Sequence, residues 1–142
     1  MSRLNWDEYA LALAKTASLR SEDPYKKVGA CALSMDNRVL GVAYNGLKSG
    51  KDVDNVFWSD RDKRRPYMIH AETNVLSLFP RNECRLLAVT LLPCSCCARM
   101  ICSWNIPEVV YCEEYDSIES AYSFEIFDFY GVKIKKISNE KI

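Results

Sequence analysis

The sequence predicts an α/β protein, a three-layer α/β/α sandwich around a five-stranded mixed sheet. Three observations predict it. The chain has 142 residues, the size of one compact domain able to bury a sizeable core. Its apolar pattern alternates between runs with helical spacing and short runs with strand character, in the order α-β-β-α-β-α-β-α-β. The central run LLAVTLL is continuously apolar, as in a strand covered on both faces. We expect a single domain spanning residues 1–142, without repeats.

Each element has a local reason. WDEYALALAKTAS, residues 6–18, places Tyr9, Leu11, Leu13 and Ala14 among good helix formers and ends before SEDP, where Pro24 disfavours continuation. VGACALSM and RVLGVAY read as strands joined by an Asp-Asn turn. Residues 46–66 are polar and charge-rich with Gly and Pro, and read as a long surface loop suited to a lid or a partner contact. A helix is expected from near His70 to Pro80, and another over PCSCCARMICSW with Pro93 at its start. EVVYCEEY is strand-like, residues 117–130 form an amphipathic helix ending at Gly131, and VKIKKI alternates as an edge strand. The initial hairpin should pair antiparallel and the remaining strands mostly parallel.

Composition narrows the function classes. Nineteen basic residues balance nineteen acidic ones, a poor footprint for binding long nucleic acid, although a few local cations suffice for one phosphate. No apolar run approaches the roughly 18 residues that cross a bilayer. The start MSRLNWDEYALALAKTA carries acidic residues ahead of its apolar stripe, unlike a signal peptide. We therefore expect a cytoplasmic protein (host cytoplasm if viral). Seven cysteines are an odd count for a disulfide scaffold, and Cys31 and Cys112 sit in strand-like runs as small core residues.

The chemistry concentrates in two segments. His70, the chain's one histidine, opens one predicted helix, and Cys94 and Cys97 open the next. Loops at the carboxyl ends of α/β strands converge on one crevice, so two such helix starts can face each other. Cys94 and Cys97 are three apart, so a first helical turn presents both, and a helix N-terminus favours thiolate. One imidazole and two thiolates leave a fourth position open, as in a catalytic zinc site. Cys96 points roughly 160° away from Cys94 and 100° from Cys97 on a helix, and so reads as a bystander. Glu72, two residues after His70, can reach the same opening as a proton carrier. Its plainer reading is a first-turn glutamate favoured by the helix dipole. The plainer reading of the cluster is a closed structural zinc site with a third cysteine.

His70-Ala71-Glu72 followed by Pro93-Cys94-Ser95-Cys96-Cys97 resembles the H-x-E…P-C-x-x-C signature of the zinc-dependent cytidine deaminase superfamily. SEDPYKKVGA, AYNG and RRPYMIHAETN resemble the corresponding segments of deoxycytidylate (dCMP) deaminases within it, so the likeness covers nearly the whole chain. That resemblance implies hydrolysis of dCMP to dUMP and ammonia, feeding thymidylate synthesis. It implies Zn2+, one ion per chain, on His70, Cys94 and Cys97, with Glu72 as catalytic proton shuttle. It implies that the Ala71 N–H meets the pyrimidine carbonyl and that Asn45 bonds the sugar 3′-hydroxyl. Lys26, Lys27 and Tyr115 are candidates for the 5′-phosphate. Their plainer readings are a solvated lysine pair and a strand-end aromatic.

The resemblance also implies a homo-oligomer, a hexamer by family habit, and regulation by dCTP with Mg2+ as activator and dTTP as inhibitor. The family's Gly-Tyr-Asn-Gly is Ala43-Tyr44-Asn45-Gly46 here, a departure in the segment tied to that regulation. The alternatives are a relative acting on dCTP, on a free nucleoside or on tRNA, or an inactive zinc-stabilised module that binds nucleotides. Neutral charge argues against tRNA. The insert before His70 and the S-x-D-P and Y-N-G segments argue against a nucleoside enzyme. A purely structural site has no need of Glu72.

Overall fold

The computed structural model describes residues 2–115 and 117–141. Its core is one five-stranded sheet of order β2-β1-β3-β4-β5. The strands are β1 (Gly29–Ser34), β2 (Val39–Tyr44), β3 (Cys84–Leu91), β4 (Glu108–Glu113) and β5 (Lys133–Lys136). β1 is antiparallel to β2 and β3, whereas β3, β4 and β5 run parallel, so the sheet is mixed as expected. The β1–β2 turn places Asn37 at φ 64°, a left-handed conformation that asparagine tolerates.

Side-chain alternation along the strands fills two cores. Cys31, Leu33, Leu86, Ala88 and Val110 pack with Ala10, Leu11 and Ala14 of helix α1 (Trp6–Ser18). Ala30, Ala32, Leu87, Val89 and Val109 face the other way. They meet helices α4 (Ala71–Leu76), α5 (Ser95–Ser103) and α6 (Ile118–Phe129). One helix on one face and three on the other make the three-layer sandwich.

Helix ends follow local chemistry. α1 opens with a reciprocal capping box between Asn5 and Glu8. α6 closes on Gly131 at φ 73°, with Val132 N–H bonded to Phe127 C=O and Gly131 N–H to Asp128 C=O, the Schellman pattern. α4 is shorter than the sequence suggests. It ends at Leu76, and Leu78 and Phe79 continue as tighter i→i−3 turns that turn Phe79 into the core.

The clearest departure is residues 46–66, expected as a loop. Two short helices form there, α2 (Asn55–Ser59) and α3 (Arg61–Arg64), followed by a 3₁₀ turn (Arg65–Tyr67). Asp54 and Asp60 cap them through bonds to Phe57, Asp62 and Lys63 N–H groups. Tertiary contacts hold them. Tyr25 Oη donates to Trp58 C=O at 2.9 Å, and Arg64 pairs with Asp23 at 3.0 Å. Gly46 and Ile69 exchange backbone hydrogen bonds that close the segment at its base.

Gly29 fixes the spacing of α1 on the sheet. A Cβ at Gly29 would lie 1.8 Å from Ala14 C=O, so any side chain must push the helix away. We expect Gly29→Ala to lose about 1–3 kcal/mol in urea unfolding. Gly46→Ala, whose Cβ meets nothing within 4 Å among the described residues, should change stability by less than about 1 kcal/mol. Equal losses would sink this account.

Candidate active site

The functional candidates gather at one end of the sheet, where β2, β3 and β4 finish and β1 begins. His70 is the N-cap of α4 (φ −72°, ψ 151°) and Cys94 the N-cap of α5 (φ −67°, ψ 170°). Neither side chain caps its own helix among the described residues. Cys94 therefore stands just outside the first turn expected to carry it. Its pairing with Cys97 survives because N-cap and N3 side chains approach each other, as in a capping box. The Ser95 N–H at the start of α5 is taken by Glu119 Oε1 of α6 at 2.8 Å.

His70 Nδ1 lies 3.3 Å from Cys97 Sγ and 3.6 Å from Cys94 Sγ. All three donor atoms lie within 4.8 Å of one another. A tetrahedral zinc with bonds of about 2.0–2.3 Å spaces its donors by roughly 3.5–3.8 Å, so this set fits the ion. Cys96 is exposed, 3.3 Å from Arg99 Nη2, and outside the cluster.

Electrostatics match a metal-ready site. A hydrogen bond from Cys97, aided by His70, holds the Cys94 thiol down at about 4. The same bond, with burial, pushes Cys97 up, and the bond to Cys94 raises His70. Glu72 is buried at the second position of α4, and burial raises its carboxyl to about 7. Burial pushes the Cys31 thiol of β1 and the Cys84 thiol of β3 up to about 12.

His70, Glu72 and Cys94 line a cavity of about 480 Å³, within the range of small-molecule sites. Ala71, the first residue of α4, lines it, as do Asn45, Lys26 and Tyr115. The Asn45 amide is partly engaged. Its Oδ1 accepts from Val28 N–H and its Nδ2 donates to Lys26 C=O, both at 2.9 Å, leaving one donor and one acceptor free. Lys26 is ion-paired with Glu113. The structure does not bring Lys27 to the cavity wall; its ammonium donates to Ser21 C=O. Tyr115 stands at the rim, half exposed.

Sequence reasoning missed Arg61, Arg64 and Arg65, which line the same cavity from the segment expected as a loop. The basic run RDKRRP was the available signal, but such a run ordinarily reads as a solvated face.

A metal held by His70, Cys94 and Cys97 would displace the proton that the bond to Cys94 and burial keep on Cys97. Apparent zinc affinity should therefore rise with pH, by on the order of tenfold per pH unit per proton released. Chelator competition between about pH 6 and 8 checks this, and a flat profile contradicts the ligand set.

No helix among the described residues is long and apolar enough to cross a membrane. The family model for the cytidine and deoxycytidylate deaminase zinc-binding region matches residues 4–113. The deoxycytidylate deaminase of Homo sapiens is 32% identical, over 94% of this chain and 80% of that protein. That of Mycobacterium phage D29 is 35% identical, over 80% of this chain and 99% of its own length. The dCMP deaminase of cyanophage S-TIM5, solved with dCMP and dUMP, shares the fold with a TM-score of 0.76. It is 24% identical and covers 96% of this chain and 100% of its own. With its His70-Ala71-Glu72 and Pro93-Cys94-x-x-Cys97 segments set around one cavity, the chain belongs to the zinc-binding cytidine and deoxycytidylate deaminase family.

Proposed function

We propose that the protein is a dCMP deaminase, hydrolysing dCMP to dUMP and ammonia as one catalytic domain. The observation that carries this reading is the buried Glu72 carboxyl, lining a nucleotide-sized cavity together with His70 and Cys94 of a three-donor cluster. The deoxycytidylate deaminases to which the chain is similar support the choice of substrate.

In this proposal His70, Cys94 and Cys97 hold zinc, which supplies an activated water when bound. Glu72 is the proton carrier. Burial raises its carboxyl to about 7, so it both accepts and returns a proton near neutral pH. It delivers protons to the ring N3 and to the departing amino group. The Ala71 N–H, at the start of α4, receives the pyrimidine carbonyl oxygen. Asn45 offers its free donor and acceptor to the sugar 3′-hydroxyl, and its two backbone bonds keep the amide from rotating away. Lys26 and Tyr115 line the cavity as candidates for the 5′-phosphate, whereas Lys27 has no support from its position.

Activation by dCTP with Mg2+, inhibition by dTTP, assembly into hexamers and a cytoplasmic setting belong to the same proposal and rest on the resemblance. The regulatory segment Ala43-Tyr44-Asn45-Gly46 runs from the end of the edge strand β2 into the cavity wall.

Ammonia release from dCMP, deoxycytidine, dCTP and a tRNA anticodon stem tests the substrate, and dCMP should be turned over far faster than the others. Repeating the dCMP assay with dCTP–Mg2+ and with dTTP should raise and lower the rate; a flat response removes regulation from the proposal. Glu72→Gln should keep its zinc and lose on the order of 10²–10⁴-fold in kcat. Near-native turnover of a zinc-loaded variant would show the role to be wrong.

A further inference from the structure

Among the described cations of the cavity wall, Arg64 differs in kind. Its side chain is 8% exposed and its ionic partner Asp23 is 2% exposed, so the pair is inside the protein. Arg64 Nη1 lies 3.0 Å from Asp23 Oδ2, the guanidinium's one ion pair among the described residues. Its buried Nε has no hydrogen-bond partner among them. A guanidinium carries five N–H donors, and leaving a buried one unmet is costly. Burial beside a ligand cavity with donors to spare points to an acceptor-rich ligand.

The surroundings orient this group. Asp23 Oδ1 accepts from the N–H groups of Tyr25 and Lys26 at 2.8 and 3.3 Å, so the carboxylate is fixed by its own turn. The Tyr25 ring lies 4.8 Å from the Arg64 guanidinium, and its hydroxyl is tied to Trp58. The other cations fit a ligand less well. Lys26 is spent on Glu113, and Arg65 is 70% exposed near Asp62. Arg61 is solvent-exposed, with its guanidinium 5.9 Å from the centre of the same ring.

We propose that Arg64, oriented by Asp23 and Tyr25, receives the 5′-phosphate of the substrate and makes the enzyme select a nucleoside monophosphate over a nucleoside. This rests on the dCMP reading above. A planar fork presenting several N–H groups matches a phosphate better than an ammonium does. Asp23 is then a positioning residue. It holds the fork at one nitrogen and leaves the rest for the ligand, which removes the ordering cost of a free arginine at binding.

The test compares kcat/KM for dCMP and deoxycytidine in zinc-loaded wild type and Arg64→Lys, with melting temperature and zinc content measured alongside. Lysine keeps a cation opposite Asp23 and loses the fork. The dCMP-to-deoxycytidine selectivity should fall on the order of 100-fold, carried mainly by KM for dCMP. Inorganic phosphate should inhibit wild type competitively against dCMP and inhibit the variant at least tenfold more weakly. Should Arg64→Lys fail to fold, the double variant Asp23→Asn/Arg64→Gln leaves no buried charge unpaired and must show the same loss. A wild type that prefers dCMP, with variants losing equally on both substrates, overturns the Arg64 assignment alone. A wild type that turns over deoxycytidine as well as dCMP overturns the substrate reading itself.

Discussion

Two helices begin on residues that decline to cap them, and the site depends on that arrangement. A helix N-terminus leaves backbone N–H groups in need of acceptors. Ser or Asp at the N-cap would answer that need and close the end. His70 and Cys94 stand in those places instead, and their side chains turn toward each other. The uncapped ends are compensated from elsewhere. Glu119 reaches from α6 to the Ser95 N–H, and Ala71 at the start of α4 lines the cavity. Because α4 and α5 both rest on the same face of the sheet, packing that buries Val75, Ala98 and Ile101 also sets the distance between imidazole and thiols.

The remainder of the cavity is assembled by a second set of contacts around the segment from Ser21 to Val28. Ser21 donates to Asn45 C=O, Asn45 accepts from Val28 N–H, and Asp23 and Tyr25 catch the short helices α2 and α3. One turn after α1 thus ties the end of β2 to the 55–67 region. The sheet below is packed on both faces at β1 and β3.

Much of this was legible in the sequence, and the divide is physical. The strands and long helices declare themselves by periodicity, because each must bury one face. The metal donors declare themselves by type and spacing, because few combinations of His and Cys open two helices in succession. The short helices of residues 55–64 do not, since four or five residues have little intrinsic helix stability and owe their shape to Asp caps and to Tyr25. Arg64 was hidden for the same reason. Within RDKRRP it looks like its neighbours, and only the fold buries it against Asp23. Lys27, by contrast, looked equal to Lys26 in sequence and is separated from it by the direction of one turn.

The paired bonds between Gly46 and Ile69 join the two ends of the 47–68 stretch at a fixed point beside the metal donors. Lengthening a loop whose ends are already clasped costs little, since closure entropy grows only with the logarithm of length. What hangs from that clasp is therefore an interchangeable cassette, free to diverge in length and charge while His70 and Glu72 stay where they are. On this view a lineage could change which tail of a nucleotide is welcomed by rewriting the cassette, without disturbing the chemistry performed on the base.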